Sequence, residues 1–594
     1  MIWIPTFGLP LLISSAIAVL SVVGADRPTR LRDILTRFSW VAVVPAAVAA
    51  LVDDGEKIVV EQLVLGTSVQ VDDVGRPMVI MASLVYGMAL AFVPRSASER
   101  PYTLTAFLLL CCVGNVGVFI AADLVTFYLA FAAMSFLGYA IVVHERTDKA
   151  RRAGVVYLVL TVIGETAVLS GFLLIAAQGA WAVTDVPAAV ASSPAKNTII
   201  LLVLVGFGVK AGIVPLHTWL PLAHPAAPTP ASAVLSGVML KAGIVGWLRM
   251  LPLGLPGAES GWGSVFLVLA LAGGLLAIPV GLLQDDPKVI LAYSSISQLG
   301  FIAAMVGAAL TQPSLAEACI AASVLYSVHH GMTKSMLFLG VQMWDRERMR
   351  RRALAAVFAV AGLSLAGAPL TSGYVAKYAA KHAVDGVQVP GISGLDVADV
   401  LVWFGVGSTL LIARFVAVMR SRERSVHPTS RTRGALWALV CVAAVVPVAV
   451  LAKHGSSPLV TPGWFDPATW WTQSWPILLA MGVAALAGAV TRLPRFDSSR
   501  VAHPRGDLVP PGDLVVVEEK AAKGLTRLVE QVFRSLGDLV RKASSTISRR
   551  APTGERLDRV QQSLGLWQMS GMVWVALLAV ALMVTFVYVP EVGR

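Results

Sequence analysis

Residues 206–243 read GFGVKAGIVPLHTWLPLAHPAAPTPASAVLSGVMLKAG, so Lys210 and Lys241 sit inside apolar helical segments separated by a stretch crowded with proline and histidine. A lysine near the centre of a bilayer is costly unless it meets a partner or a water-filled cavity, so two of them around one link read as a functional signature. Gly206, Gly208 and Gly212 weaken helical continuity around Lys210 and let freed carbonyls and water approach its ammonium. Pro221, Pro225, Pro228 and Pro230 exclude an ordinary helix interior, which places His217 and His224 in a non-helical link. Each of these histidines either relays protons, its ordinary pKa lying near neutrality, or hydrogen-bonds the link.

Composition assigns the class. Of 594 residues 56% are hydrophobic and only 14% charged, with a mean hydropathy of +0.75, far from the balance of a soluble domain. The chain reads as an all-α polytopic membrane protein. Apolar stretches able to span about 30 Å of hydrocarbon begin near residues 4, 36, 77, 103, 122, 155, 198, 230, 262, 289, 317, 355, 399, 434, 475 and 569, roughly sixteen helices. Residues 1–24 have no basic n-region and no A-x-A cleavage site, so they read as a retained first helix rather than a signal peptide. The basic loops 27–37, 95–100, 146–152, 346–352, 420–433 and 492–500 all fall on one side of the helix count, which the positive-inside rule makes cytoplasmic, with both termini outside. That topology signal accounts for the net charge of +12 without nucleic acid. Cys111, Cys112, Cys319 and Cys441 all lie in predicted spans, in neither a disulfide framework nor a CxxC metal site, and read as packing residues.

The organisation divides into leading transmembrane helices over 1–120, an ion-translocation core over 121–385 that holds nearly all the intramembrane ionisable residues, and further transmembrane helices over 386–512. Within 513–552, Leu525, Leu528, Val529, Val532, Phe533, Leu536, Leu539 and Val540 recur at spacings of three and four among charged neighbours, an amphipathic helix on the cytoplasmic side. It is about 50 Å long at 1.5 Å per residue and precedes a last, anchoring span over 567–590. It either lies in the membrane interface or braces a partner subunit.

The lysine pattern repeats downstream. In YSVHHGMTKSMLFLG (326–340), His330 and Lys334 share one face of an apolar helix. In GAPLTSGYVAKYAAK (367–381), Lys377 follows Gly367, Pro369 and Gly373, a second broken helix; it either joins Lys210, Lys241 and Lys334 in a chain or snorkels to the interface, since Lys381 and His382 follow. No cysteine cluster, haem-attachment motif or dinucleotide fingerprint is present, so the chain carries no cofactor motif and any electron chemistry belongs to partner subunits.

The motifs of residues 206–243, DDPKVILAYSSISQLGF (285–301), YSVHHGMTKSMLFLG and LAGAPLTSGYVAK (365–377) resemble the antiporter-like subunits of respiratory complex I, Mrp cation/proton antiporters and energy-converting membrane hydrogenases. The likeness covers roughly residues 70–420 and is most similar to the large antiporter-like subunit of formate hydrogenlyase-type complexes. The amphipathic segment with its final span is similar to the lateral helix of the distal complex I subunit, which favours a brace over about one neighbouring antiporter-like subunit. The resemblance implies a bacterial inner-membrane location and two inverted five-helix repeats, beginning before 121 and ending near 420, with discontinuous seventh and twelfth helices. It further implies that Lys210, Lys241, His330, Lys334 and Lys377 move protons, with sodium as the alternative ion.

One departure stands out. The family carries a glutamate in its fifth helix, roughly W-E-x-M-S, as the partner of the lysine matched by Lys210; here YLAFAAMSF (128–136) places Ala132 at that position. In LTVIGETAVLSG (160–171), Glu165 lies inside an apolar run of the sixth helix and is the candidate replacement. Three functions fit these residues. The first is a proton-translocating subunit of a multisubunit redox-driven complex. The second is a redox-independent subunit, either an Mrp-type antiporter or the membrane part of a gradient-powered inorganic carbon uptake system. The third is a scaffold whose first channel has decayed.

Overall fold

The computed structural model describes residues 3–23, 30–61, 66–93, 100–256, 261–346, 351–421, 459–463 and 465–490. Its helices are α1 (Ile4–Val23), α2 (Arg30–Phe38), α3 (Val44–Val52), α4 (Gly75–Phe92), α5 (Pro101–Ile120), α6 (Leu124–Val142) and α7 (Asp148–Ala176). There follow α8 (Val186–Ser192), α9 (Lys196–Ala211), α10 (Trp219–Ala226), α11 (Thr229–Val234), α12 (Leu240–Met250), α13 (Gly261–Leu282) and α14 (Pro287–Thr311). The series ends with α15 (Ala316–Arg346), α16 (Arg351–Ala366), α17 (Ser372–Ala383), α18 (Val397–Ser421) and α19 (Pro467–Val490). Among the described residues, eleven helical stretches are long and apolar enough to cross a membrane. Three of the sixteen expected spans, those starting near 198, 317 and 355, are not among them for physical reasons. The spans α9–α10 and α16–α17 are each broken into halves, and α15 carries His329, His330 and Lys334 near its centre. The expected starts near 434 and 569 and the amphipathic segment 513–552 lie outside the described residues.

The stretch Thr229–Met250 and helix α14 are buried along their whole spanning windows and form the centre of the bundle. At the periphery, Val155, Val159 and Leu173 of α7 and Leu478, Met481 and Leu486 of α19 stand exposed, the outward apolar surface that a bilayer or a neighbouring membrane subunit covers. A short antiparallel hairpin, Ile58–Val60 with Thr67–Val69, precedes α4. Its second strand is tied to Asp123, the N-cap of α6, whose carboxylate accepts from Ser68 N and Oγ and from Thr126 N and Oγ1, each at 2.7 Å. Burial raises the Asp123 pKa, but these hydrogen bonds outweigh it and hold the carboxyl below its ordinary value. Arg249, at the C-terminus of α12, donates to Asp72 Oδ1 and to the carbonyl of Phe119, both at 2.7 Å, and so clamps the ends of α4, α5 and α12 together.

Both broken helices stop in the same way. Ala211 is followed by Gly212 at φ 70°, and Ala366 by Gly367 at φ 94°, the left-handed conformation that glycine adopts without steric cost. The N–H of Gly212 and of Gly367 then turns back onto the last carbonyls of its own helix, Gly208 at 2.9 Å and Leu363 at 3.0 Å. Side chains bridge each gap: Trp219 Nε1 of α10 donates to Val209 O of α9 at 2.8 Å, and Lys377 Nζ of α17 donates to Ala366 O of α16 at 3.1 Å. The second gap closes further because Gly373 lies against Ser364, where an added Cβ would stand 1.7 Å from the carbonyl oxygen. Gly373→Ala is therefore expected to lower stability by ~1–3 kcal/mol through overpacking, measured as a reduced melting temperature of the purified protein, whereas Gly482→Ala, with open space around it in α19, should leave the melting temperature nearly unchanged.

Candidate functional site

The break after Gly212 leaves Lys210 in the last turn of α9, buried, where the negative end of the half-helix favours a cation. Its amine donates to Tyr157 Oη at 3.3 Å and lies over the rings of Phe131 (5.6 Å) and Tyr157 (5.4 Å). Tyr157 in turn donates to Ser135 O at 2.8 Å. Ala132 is on α6, one residue from Phe131, so an aromatic face occupies the neighbourhood in which the resemblance expects a carboxylate. Glu165 is buried on α7 and shares a cavity with Lys210, Thr161, Phe131 and Trp219. The cavity measures about 10 Å³, roughly the room one water needs. Both Glu165 carboxylate oxygens lack a hydrogen-bond partner, so the pair faces one space without a direct ion pair.

Lys241 has a tighter setting. The chain from α11 to α12 passes through a π-helical turn, Leu235–Met239, and Lys241 Nζ donates to Ser236 O in that turn at 2.7 Å; widened turns of this kind are frequent at functional sites. The amine also shares a 2.8 Å hydrogen bond with His330 Nδ1 of α15. Close approach of the two elements depends on glycine: a Cβ on Gly237 would stand 1.9 Å from Ser335 Oγ, and one on Gly331 would stand 2.5 Å from Gly237 O. Lys334, also on α15 and fully buried, donates to Leu291 O of α14 at 3.0 Å. Lys377 is buried rather than snorkelling, because its amine turns back to Ala366 O.

The histidines of the link part company. His217 lies in the turn between the half-helices, as expected, but His224 does not lie in a non-helical link: it belongs to α10. Pro221 falls in the first turn of α10, where a missing N–H breaks no helical bond, and Pro225 falls one residue before its end, so the prolines bound a short helix instead of preventing one. His224 is fully buried, stacked on Phe338 at 4.5 Å, and neither ring nitrogen has a hydrogen-bond partner.

Sequence reasoning passed over His329, beside His330. Its Nδ1 hydrogen-bonds Ser372 Oγ at 2.8 Å, and Ser372 Oγ lies 3.1 Å from Ser364 Oγ, so His329 is linked through Ser372 to the other side of the second helix break. The signal available was the His-His pair itself; which ring turned to which partner depended on the approach of α15 to α17.

Comparison with known proteins places this geometry in context. The model of the NADH:quinone oxidoreductase/Mrp antiporter transmembrane family matches residues 121–389. NADH-quinone oxidoreductase subunit N from Heliobacterium modesticaldum is 30% identical over 326 residues, covering 52% of this chain and 68% of that protein. Hydrogenase-4 component B from Escherichia coli is 26% identical over 274 residues, 42% of this chain; the chain spans only 40% of that relative's length. In fold, the chain is similar to a solved Mrp complex from Dietzia, with a TM-score of 0.68 at 20% identity over 99% of this chain and 64% of that one. The matched region holds Lys210, Lys241, His330, Lys334 and Lys377 together with both helix breaks, and the chain belongs to the NADH:quinone oxidoreductase/Mrp antiporter transmembrane family.

Proposed function

We propose that this chain is a proton-translocating membrane subunit of a multisubunit, redox-driven complex. The observation that carries the reading is the 2.8 Å hydrogen bond between Lys241 and His330, both fully buried, at the centre of a bundle whose two discontinuous helices bring Lys210 and Lys377 in from either half. An amine and an imidazole in contact pass a proton without moving the backbone, and a charge on one biases its neighbours strongly where water is scarce. Lys210 and Glu165 serve the first half, Lys241 with His330 and Lys334 the middle, and Lys377 the second half. His217 and His224 lie between Lys210 and Lys241 along the chain and are the candidates for proton entry.

The relatives' names, a hydrogenase component and subunits of NADH-quinone oxidoreductase, support a redox driver held by partner chains. The segment 513–552 is the part suited to brace about one neighbouring antiporter-like subunit. The basic loops support an orientation with both termini outside the cytoplasm, in a bacterial inner membrane.

Proton movement, followed with a pH-sensitive dye in proteoliposomes holding the full chain with its co-purified partners, tests the reading. Lys241→Ala should slow it roughly tenfold or more, about 1.4 kcal/mol in the barrier; an unchanged rate refutes the reading. Glu165→Gln and Lys210→Ala should slow transport to a similar extent, and the double variant should do little further harm, because residues acting as one unit are not additive. A fully active Glu165→Gln protein would remove Glu165 from the path.

A further inference from the structure

A second small cavity, of about 10 Å³, lies where α17, α18 and α19 meet, and its walls include Lys377, Lys381, Phe301, Gly405, Gln473 and Pro476. Lys377 and Lys381 are four residues apart on α17 and so share one face. The Lys377 amine lies close to α18, 3.8 Å from the place a Cβ on Gly405 would take, so the missing side chain keeps the space beside it open. Gln473 enters from α19; the residue is only 6% exposed, and its Nε2 has no hydrogen-bond partner. An unpartnered buried amide in a cavity lined by two lysines is costly unless an acceptor oxygen sits there, and the cavity has roughly the room for one water. Beyond Lys381, α17 ends at Ala383 and leads through residues 384–396 into α18, whose far end carries Arg414 and Arg420. Lys381 therefore stands toward the end of the bundle opposite those arginines.

We propose that Lys381, with a water oriented by Gln473 of α19, is the outward proton exit of the second half, the step after Lys377. Lys377 gives a proton to the water, the water gives one to the neutral Lys381 amine, and Lys381 releases its proton at the outer face; the cavity lining has no carboxylate, so mutual repulsion disfavours charge on both lysines at once and drives release. Helix α19 thereby contributes a polar side chain to the path in addition to its lipid-facing surface.

This inference rests on the proton-translocation reading, and the same proteoliposome assay separates the two. Lys381→Met should slow proton movement roughly tenfold or more, Lys381→His should keep most of the rate, and Lys381→Arg, which holds its charge permanently, should behave like Met. Gln473→Leu should slow transport several-fold, while Gln473→Asn, which keeps an amide in the cavity, should retain more of the rate. If Lys377→Ala and Lys241→Ala abolish transport while Lys381→Met and Gln473→Leu run at the full rate, the exit is elsewhere and the general reading stands. Equal loss in Lys381→His and Lys381→Met proteins that assemble normally overturns the relay, since a relay depends on a side chain that can take up and release a proton, which histidine does and methionine does not. If Lys377→Ala and Lys241→Ala leave the rate intact, the translocation reading itself falls.

Discussion

Hydrocarbon offers no hydrogen-bond partner to an open backbone, so a spanning helix can be interrupted only where the protein closes the gap itself. That constraint organises this chain. At both interruptions a left-handed glycine turns the backbone onto its own last carbonyls, and a side chain from the second half-helix satisfies another, Trp219 on Val209 in one case and Lys377 on Ala366 in the other. In the second break the group that closes the gap is itself an ionisable amine, so closing the backbone and placing the charge are one event.

The two lysines of the opening stretch occupy different environments for reasons that lie outside that stretch. Lys241 is held between a carbonyl of the π-helical turn and the imidazole of His330, an arrangement permitted by the paired absence of side chains at Gly237 and Gly331. Lys210 has a phenol and two aromatic faces, with Glu165 across a water-sized space. A pair separated by a water-sized space interacts more weakly than a pair in contact, because Coulomb energy falls as the distance and the local dielectric rise. The two lysines of the opening stretch therefore differ in how strongly a neighbour's charge acts on them.

Helix α19 alters the picture of the C-terminal part. Its outward face is apolar, as a membrane anchor requires, yet Gln473 is turned inward and Pro476 packs beside the second break. The cavity beside Lys377 is thus completed by an element that lies beyond the family-matched region, which ends at residue 389.

Composition and periodicity alone determined the membrane class and, among the described residues, where the apolar helices begin, the two breaks and most of the buried ionisable residues, because each depends on local hydropathy or on the backbone limits of glycine and proline. The helical character of α10 escaped that reading, since a proline's effect depends on where in a helix it falls, and Pro221 and Pro225 fall near the ends. Only the tertiary structure decided the partners. His329 rather than His330 meets Ser372, Glu165 faces Lys210 without touching it, and Lys381 shares a cavity with Gln473, 92 positions along the chain. These pairings depend on how far apart separate helices stand, a distance set by which residues at the contact lack a side chain, and no single segment encodes it.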